Sequence, residues 1–300
     1  MKILLLGSNG VIGNGINISL RKKKIIKLNS NVYNYNSNKY NLKKFKNCDY
    51  FIHAAGVTEE EILRYGSKCA LKRATKSTTQ LLRFIISRGC KNIIYISTLR
   101  LYSEKATILN ENKTKLQVDD NYKKCHYETE KIFQNISKKN SINYLILRPG
   151  AVYGFPSKMN KFNRLKLIPY SFPISLYYKK KITLKSSGEQ MRNFCFNEDI
   201  GIKINEWIKN KNKINTISNV SGDLTCNVRD FSFICLKIFE KIFQKKGSII
   251  ISSKFTKKFK KKNLFVIESI KSRNTGKIKK FLSKFFYLLK KKRIKNISLF

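Results

Sequence analysis

Tyr127 and Lys131 are the residues of this chain whose types and spacing most strongly suggest chemistry. On an α-helix, residues four positions apart share one face, so the two side chains would be neighbours. A lysine ammonium beside a phenol favours the phenolate and prepares the tyrosine to exchange a proton near neutral pH. The pair alone is weak, because many tyrosines precede a lysine by four positions in so lysine-rich a chain.

Two hydroxyl side chains follow a short apolar run further upstream. The residues Ile93-Ile-Tyr-Ile-Ser97-Thr98 predict a buried strand that ends in these hydroxyls. Parallel sheets present ligands at the carboxyl ends of their strands, so Thr98 is placed to bind a substrate oxygen while Tyr127 transfers the proton. An isolated threonine more often caps a helix or a turn, so this assignment depends on the residues that accompany it.

Three glycines, Gly7, Gly10 and Gly13, lie between the first apolar run and the segment predicted as the first helix. In this position the first glycine permits a tight turn and the second lets the backbone approach a pyrophosphate. The third lets the helix pack on the strand, and the amino end of the helix attracts the anion. The spacing indicates a dinucleotide-binding loop, although a glycine triplet also arises by chance.

The elements that must position these residues alternate along the first half of the chain. Near-continuous apolar runs predict strands buried on both faces, and the longer amphipathic stretches between them predict helices. This alternation is typical of an α/β protein with a Rossmann-type, doubly wound parallel sheet. The predicted strands are 2–6, 25–28, 50–53, 92–96, 144–147 and 216–220, and the predicted helices include 11–23, 68–88 and 231–243.

The second half predicts a smaller, mostly helical substrate-binding part. We assign 1–154 to the dinucleotide-binding domain, with a return segment near 191–220, and 155–300 to substrate binding. Residues 155–190 contain three of the four prolines and predict a loop-rich insertion. From Lys257 onward, lysine runs alternate with Phe and Leu clusters. This pattern favours a packed terminal helix over a tail lying on an anionic membrane.

The formal net charge of +45 is typical of proteins that bind nucleic acid or acidic membrane. However, lysine, asparagine and isoleucine are abundant along the whole length and arginine is scarce, a pattern that A/T-rich codons produce without selection for binding. We therefore favour compositional drift and expect no specific nucleic-acid partner. The seven scattered cysteines predict free thiols in a reducing cytoplasm and no metal site. The first apolar run is too short for a signal peptide or a membrane span.

Together these residues resemble the extended short-chain dehydrogenase/reductase family, the NAD-dependent epimerase/dehydratases that act on nucleotide sugars. The resemblance covers roughly the first 220 residues, and its motifs follow the family's order. They are Gly7-Ser-Asn-Gly10-Val-Ile-Gly13, Asp49-Tyr-Phe-Ile-His53-Ala-Ala-Gly56, Ile96-Ser-Thr98-Leu-Arg-Leu-Tyr102, Tyr127-x-x-x-Lys131, Leu147-Arg-Pro-Gly-Ala-Val-Tyr-Gly154 and Arg192-Asn-Phe-Cys-Phe-Asn-Glu-Asp199.

The resemblance implies a role for each matched position. Catalysis would rest on Thr98, on Tyr127 as the acid/base and on Lys131, which would also hold the nicotinamide ribose. Thr98 and Arg192 would bind substrate, with Arg192 similar to the arginine that grips the substrate's diphosphate. The implied cofactor-binding positions are Gly7, Asn9, Gly10, Ile12, Gly13, Asn29, Ala54, Ala55, Gly56, Tyr127, Lys131 and Pro149.

Several positions depart from the family's pattern. Asn29 stands where the family often has an acidic residue after the second strand, so this position leaves the choice between NAD and NADP open. The family resemblance implies NAD, and NADP is not excluded. The middle-helix motif is reduced to Ala74-Thr-Lys-Ser-Thr78, and Ala151 replaces an asparagine. Leu99 and Arg100 replace the acidic pair that follows the catalytic hydroxyl in 4,6-dehydratases, so dehydration is not expected.

The implied function is NAD(P)-dependent oxidoreduction or epimerisation of a nucleotide-activated sugar, by a cytoplasmic homodimer that serves surface-polysaccharide sugar synthesis. Hydride transfer at a sugar carbon would be coupled to proton transfer by Tyr127. A 4-epimerase and a keto-reductase share this chemistry, and the sequence leaves the choice open. The alternative is a non-catalytic dinucleotide-binding or RNA-associated relative of the same fold. The presence of Thr98, Tyr127 and Lys131 argues against that alternative.

Overall fold

The computed structural model describes residues 1–103, 106, 108–210, 215–251, 266–267, 276–292 and 294. Its strands are β1 (Lys2–Leu6), β2 (Lys24–Leu28), β3 (Tyr33–Asn34), β4 (Lys39–Tyr40), β5 (Tyr50–His53), β6 (Asn92–Ile96), β7 (Ile108–Leu109), β8 (Asn143–Pro149), β9 (Ala151–Tyr153), β10 (Lys181–Leu184), β11 (Met191–Phe196), β12 (Thr216–Val220), β13 (Leu224–Asn227), β14 (Ser248–Ile251) and β15 (Val266–Ile267). Its helices are α1 (Val11–Ser19), α2 (Glu59–Lys72), α3 (Thr78–Ser87), α4 (Asn121–Asn140), α5 (Ile168–Lys179), α6 (Asn197–Lys209), α7 (Val228–Phe243) and α8 (Gly276–Lys290).

A central sheet of six strands runs in the order β12-β8-β6-β5-β1-β2, and all of its neighbouring strands are parallel. The chain moves from β1 outward to β2, and then crosses back to β5 and continues in the other direction. Parallel pairing brings the carboxyl ends of all six strands to one edge, and the reversal at β1 opens a crevice there. The predicted doubly wound, Rossmann-type fold is confirmed.

Side-chain alternation along β1 explains why the sheet is covered on both faces. Leu4 and Leu6 are buried in one core cluster with side chains of α3 and α4. Ile3 and Leu5 are buried in another cluster with side chains of α1 and α6. Successive side chains of a strand point to opposite faces, so a continuous apolar run must be covered twice.

A third core cluster lies in the carboxyl-terminal half. It joins α5, α7 and α8 to a small sheet in the order β13-β11-β9. In α8, Phe281, Phe285 and Phe286 are at most 3% exposed, whereas the lysines of the helix are exposed. The amphipathic pattern therefore forms a packed helix over the described residues 276–290, as predicted. The earlier part of that pattern, at 257–265 and 268–275, lies outside the described residues.

The predicted helix 68–88 is instead two helices. α2 begins at Glu59 because Thr58 and Glu61 form a capping box, in which each side chain accepts a hydrogen bond from the other residue's amide. A π-helical turn at Arg73–Ser77 separates α2 from α3. Neither the cap nor the widened turn changes the spacing of the apolar residues. The sequence pattern therefore predicted one helix where the structure has two.

Two further segments contain regular structure, one of them the predicted loop-rich insertion at 155–190. Residues 29–41 form a 3₁₀ turn and a short hairpin of β3 and β4. Residues 155–190 contain α5 and β10, with Pro169 in the first turn of α5, where the missing amide hydrogen costs nothing. Over the described ranges, no helix is both long enough and apolar enough to cross a bilayer.

Candidate functional site

The three glycines after β1 meet different surroundings. Gly7 has a φ of +89°, in the left-handed region that favours glycine. A Cβ on Gly13 would overlap the backbone of Gly7, so the missing side chain lets α1 pack closely on the end of β1. A Cβ on Gly10 would meet only the Gly7 carbonyl oxygen, at 3.6 Å. The loop therefore has open space at its second glycine.

The start of α1 suits a pyrophosphate. Gly10 is the N-cap residue, and the Asn14 amide closes the first turn onto the Gly10 carbonyl at 2.9 Å. The amides of the turn itself have no intrahelical partner and lie at the positive end of the helix dipole. The first turn of α1 contains no acidic side chain that would repel an anion. These features fit the diphosphate of a dinucleotide.

Asn29 lies at the end of β2, beside this loop. The Leu28 carbonyl accepts hydrogen bonds from the amides of Gly7 and Ser8, at 2.8 and 3.0 Å. The Asn29 side chain accepts a hydrogen bond from the Asn31 amide at 3.0 Å. Its neutral amide neither repels a ribose 2′-phosphate nor forms an ion pair with one.

Ala54, Ala55 and Gly56 follow β5 at the same edge of the sheet. The Ala54 amide donates to the Leu6 carbonyl at 2.9 Å, and the Ala55 carbonyl accepts from the Arg73 guanidinium at 2.8 Å. A Cβ on Gly56 would lie 2.9 Å from the ring of His126. The predicted cofactor strip therefore runs from the end of β1 to the inward face of α4.

The other predicted binding positions also lie at this edge. Asn9 lies in the glycine loop, where its carbonyl accepts from the Ser157 amide at 3.2 Å. Ile12 is partly buried against the core cluster that contains Ile3 and Leu5 of β1. Pro149 ends β8, opposite Val220 of β12. The topology thus brings the predicted cofactor residues of the loops together.

Thr98 lies two residues after β6, and its hydroxyl accepts a hydrogen bond from the Arg100 amide at 3.2 Å. The Arg100 guanidinium lies over the Tyr122 ring, 4.5 Å from its centroid. Burial raises the pKa of this phenol, and the charge of Arg164 and the Thr98 hydroxyl oppose the shift.

Tyr127 and Lys131 do not lie with this group. Tyr127 follows Tyr122 by five residues, a rotation of about 140° around the helix. The Lys131 side chain is 45% exposed, and its ammonium pairs with Glu128 at 3.1 Å. The ammonium lies 4.9 Å from the Tyr127 ring centroid, so the two are neighbours as predicted. They occupy a different side of α4 from the one that meets Thr98.

His126 occupies the inward position one helical turn after Tyr122. It is 4% exposed, and its ring centroid lies 4.5 Å from that of Tyr122. Nε2 donates to the Val57 carbonyl at 3.2 Å, and Nδ1 accepts from the Tyr95 hydroxyl at 2.7 Å, since a carbonyl can only accept. Burial is the main reason that the pKa of His126 is lowered to about 4. A neutral imidazole therefore lies beside the phenol at neutral pH.

A buried ion pair fixes the rotation of α4 against the sheet. The Arg148 guanidinium donates to both oxygens of Glu130, at 2.9 and 2.6 Å, and both side chains are 3% exposed. Arg148 also donates to the Tyr102 hydroxyl at 2.8 Å. Glu130 follows Tyr122 by eight residues, or about 80° around the helix, so both face inward.

Three consecutive glutamates at the start of α2 each pair with an arginine from a different element. The first arginine follows β6, the second precedes α5 and the third begins the π-helical turn. The pairs are Glu59–Arg100 at 2.5 Å, Glu60–Arg164 at 3.4 Å and Glu61–Arg73 at 2.5 Å. Asp120, the N-cap residue of α4, also reaches Arg100 at 3.3 Å. Of these arginines, Arg100 and Arg164 act on the pKa of Tyr122, and Glu59, Asp120 and Glu60 are their partners.

Arg192 lies in β11, in the small sheet rather than the central one. It is in register with Cys226 of β13, and its guanidinium donates to the Met191 carbonyl at 2.9 Å. Its role at a substrate diphosphate stays a prediction.

Sequence reasoning missed Tyr122, His126 and Glu130. Their signal is a run of four-residue steps, which places all three on one side of α4, followed by the buried Phe133. The Tyr127–Lys131 spacing has the same period and begins five residues later on the same helix. Spacing alone therefore does not choose between them.

Comparison with known proteins identifies the family. Residues 3–204 match the NAD-dependent epimerase/dehydratase family. A UDP-glucose 4-epimerase from Vibrio cholerae is 25% identical in an alignment 190 positions long, which covers 57% of this chain and 58% of that protein. The chain thus spans less than two thirds of that relative's length.

Two solved structures illustrate the likeness of fold. The UDP-N-acetylglucosamine 4-epimerase from Methanobrevibacter ruminantium, in complex with UDP-N-acetylmuramic acid, is 16% identical, with a TM-score of 0.73 over 97% of this chain and 98% of that one. The UDP-glucuronic acid 4-epimerase from Bacillus cereus, in complex with UDP-glucuronic acid and NAD, is 18% identical, with a TM-score of 0.67 over 96% and 97%. At these identities the likeness shows the fold alone. Because the family match covers more than half of its length, this chain belongs to the NAD-dependent epimerase/dehydratase family.

Proposed function

We propose that this protein binds NAD and a nucleotide-activated sugar, and that it catalyses hydride transfer at a sugar carbon with Tyr122 as the acid/base. The observation that carries this proposal is that Arg100 contacts both hydroxyl-bearing residues at the carboxyl edge of the sheet: its amide donates to the Thr98 hydroxyl, and its guanidinium lies over the Tyr122 ring. The open Gly10 loop and the strip Ala54–Gly56 lie at the same edge. Family membership supports the same chemistry.

Each residue has a role that follows from its own chemistry. The amides at the start of α1 would hold the cofactor's diphosphate beside Gly10. Thr98 would align the substrate oxygen by a hydrogen bond, and Tyr122 would hold or release that oxygen's proton. When bound, the nicotinamide supplies or accepts the hydride. NADP is the alternative cofactor, because Asn29 is neutral.

The substrate we propose is a sugar linked to a nucleoside diphosphate. The names of the relatives, which act on UDP-sugars, support this class. Arg192 is the residue we assign to the substrate's diphosphate, because a planar guanidinium can donate two parallel hydrogen bonds to it. Synthesis of surface-polysaccharide sugars would be the use of such a product.

We also propose that the protein is a cytoplasmic homodimer. α3 and α4 leave a groove between them that mixes apolar and basic side chains, among them Ile86, Ile132, Arg83 and Lys139. A second copy placed on these helices by a two-fold axis would cover the groove on both subunits. Light scattering on the purified protein is expected to give twice the chain mass of 35.0 kDa. A single chain mass at micromolar concentration would contradict the dimer.

Binding and turnover measurements test the function directly. Dinucleotide released from the denatured pure protein is identified by mass spectrometry, and calorimetry then measures binding of NAD, NADP and UDP-sugars. We expect one dinucleotide and a UDP-sugar to bind, and the sugar product to differ from the substrate at its redox-active carbon. A chain that binds neither ligand would refute the proposal.

A second candidate is a non-catalytic dinucleotide-binding or RNA-associated relative. Two observations support it: Lys131 pairs with Glu128, and the inward position one helical turn after Tyr122 holds the neutral His126. Binding of dinucleotide without turnover of any UDP-sugar would favour this candidate. An RNA role would additionally require sequence-selective binding, since affinity that collapses with salt reports only the phosphate charge.

A further inference from the structure

We infer that Cys48 and Cys90 form a reversible disulfide at the amino edge of the central sheet, because the register of β5 and β6 places the two cysteines opposite each other. Both are free thiols in this structure. The pair is therefore a site of covalent modification, and it lies at the opposite edge of the sheet from the cofactor strip. The inference does not depend on the proposed function.

The parallel pairing of β5 with β6 aligns the two cysteines. Tyr50 is opposite Asn92 at the start of the ladder, and Cys48 and Cys90 each precede that pair by two residues. Neighbouring strands lie about 4.7–4.9 Å apart. The Cα atoms of a disulfide usually lie about 4.4–6.8 Å apart. The spacing that the sheet imposes therefore falls within the range that a disulfide requires.

Hydrogen bonds continue the alignment beyond the ends of the two strands. The Asp49 amide donates to the Lys2 carbonyl at 2.9 Å, and the Asn92 side chain donates to the Asp49 carbonyl at 3.0 Å. The Cys90 thiol lies 3.8 Å from that same Asp49 carbonyl oxygen and 3.4 Å from the Asn92 carbonyl oxygen. The Cys90 sulfur thus contacts the residue that directly follows Cys48.

Both side chains also lie on the same side of the sheet. Cys48 is 6% exposed and Cys90 is 1% exposed, and both belong to the core cluster that contains Leu4 and Leu6 of β1. Interaction with Cys90 is the first cause that raises the pKa of Cys48, and interaction with Cys48 is the first cause that lowers the pKa of Cys90. Opposite shifts are expected where one thiol keeps its proton and stabilises the thiolate of the other. Cys90 is therefore the sulfur that ionises first.

Hydrogen peroxide is the oxidant that this arrangement suits. The Cys90 thiolate attacks one peroxide oxygen and the O–O bond breaks, which leaves a sulfenic acid on Cys90 and a hydroxide that takes up the proton Cys90 released. The Cys48 sulfur then attacks the Cys90 sulfur, the S–O bond breaks, and water leaves with the Cys48 proton. Two thiols and one peroxide thus give one disulfide and two waters, as two electrons pass from sulfur to oxygen. A dithiol reductant reverses the bond by thiol–disulfide exchange.

A groove of about 740 Å³ runs beside the two turns that carry the cysteines. Lys46 and Asn47, which precede Cys48, line it together with Arg88, which precedes Cys90. The Arg88 guanidinium donates to the Asn47 side-chain oxygen at 2.7 Å, so the two turns are already joined without a covalent bond. A small oxidant can approach the turns from this groove, whereas the low exposure of both sulfurs disfavours a bulky one.

Oxidation of the purified full chain is the first test. The protein is treated with one equivalent of hydrogen peroxide, the remaining thiols are blocked with N-ethylmaleimide after unfolding, and the digested peptides are identified by mass spectrometry. We expect peptides joined through Cys48 and Cys90, with the free thiols falling from seven to five and recovering in dithiothreitol. Seven remaining thiols, a bond between other cysteines, or oxidation to sulfinic acid without the joined peptides would overturn the inference.

Single substitutions provide the matched comparison. Cys48→Ser and Cys90→Ser are each expected to prevent the loss of two thiols. Cys69→Ser removes a more exposed thiol and is expected to leave the bond between Cys48 and Cys90 intact. The joined wild-type peptides identify the bond directly, so the test holds even where a serine variant does not fold. Loss of the bond in Cys69→Ser would count against the inference, because the aligned pair should not need a third thiol.

Thermal unfolding is the second test. The bond closes a loop of about 40 residues, which restricts the unfolded chain, so the melting temperature of the oxidised protein is expected to exceed that of the reduced protein by roughly 5 °C. Cys48→Ser treated in the same way is expected to show no rise. An unchanged or lower melting temperature in the cross-linked wild type would mean that the fold must distort to form the bond, and would overturn the inference.

Discussion

Glu130 of α4 and Arg148 of β8 face each other in a doubly hydrogen-bonded ion pair, with both side chains 3% exposed. The pair joins the helix to the strand that lies beside β6. Any rotation of α4 large enough to turn Tyr127 towards Thr98 would separate the two charges. This one contact therefore selects Tyr122 as the tyrosine that faces the site.

Removal of the Glu130 charge is expected to destabilise the protein strongly. Glu130→Gln leaves Arg148 as a buried charge without its counter-ion, which costs about 3–5 kcal/mol in free energy of unfolding. Glu128→Gln is the matched control, because its partner Lys131 is 45% exposed and such pairs contribute about 0–1 kcal/mol. Urea denaturation measures both variants. Equal stabilities would show that the buried pair does not fix α4.

Tyr122→Phe is expected to lower turnover by roughly 10²–10⁴ while leaving dinucleotide affinity nearly unchanged, since only the proton-carrying oxygen is lost. Tyr127→Phe removes the same atom from the other side of α4 and is expected to change neither quantity. Steady-state kinetics and calorimetry on the pair compare the two positions. If Tyr127→Phe abolished turnover and Tyr122→Phe did not, the placement of the acid/base would have to be reversed.

Substitutions of Gly10 and Gly13 are expected to impair different properties: dinucleotide binding at Gly10 and stability at Gly13. In Gly10→Val the side chain enters the open space beside the start of α1, so the dinucleotide should no longer bind while the melting temperature stays near that of the wild type. In Gly13→Ala the added carbon would overlap the backbone of Gly7, so the melting temperature should fall. Calorimetry and thermal unfolding on both variants measure these effects. Unchanged affinity in Gly10→Val would remove the diphosphate from this loop.

Stability is expected to fall as the pH is lowered from about 6.5 to 4. The chain has two histidines, His53 and His126, and burial is the main reason that their pKa values are lowered to about 3 and about 4. In this window the unfolded chain binds protons that the folded chain excludes, so acid favours unfolding, and above the window the effect vanishes. His126 alone accounts for roughly 3 kcal/mol by pH 4.

His126→Gln isolates this contribution. The variant is expected to lose less stability than the wild type between pH 7 and pH 4.5, as measured by urea denaturation at each pH. Carboxylates affect both proteins alike, so the difference between the slopes reports His126. An identical pH dependence would mean that folding does not lower the pKa of His126.

The sequence predicted the architecture well because the fold depends on patterns that a single chain carries. Continuous apolar runs such as 2–6 and 92–96 are strands buried on both faces, and their observed bounds match the predicted ones. The glycines after β1 were recognisable from their spacing: Gly7 has a positive φ, Gly13 allows α1 to pack closely on β1, and Gly10 leaves open space at the start of α1. Capping by Thr58 and the π-helical turn were missed, since neither changes the apolar period.

The sequence did not show that Tyr122, rather than Tyr127, lies near Thr98, for a related reason. Tyr122 and Tyr127 lie on one helix, and each is followed four residues later by a basic or titratable side chain. Which of them faces inward depends on Glu130 meeting Arg148 of β8, and that contact joins segments 18 residues apart in the chain. The spacing of residues within one helix does not show which of them contact a strand. The structure was therefore needed to identify the side of α4 that faces the sheet.

The glutamates at 59–61 impose a constraint on how this stretch can vary among related chains. Each carboxylate is matched to a guanidinium on a separate element, so the three pairs share one helical register. Exchanging one glutamate for aspartate or glutamine disturbs one pair. Deleting or inserting a single residue before Glu59 would rotate all three away from their partners at once. Among natural variants we therefore expect point changes here and a constant number of residues between β5 and α2.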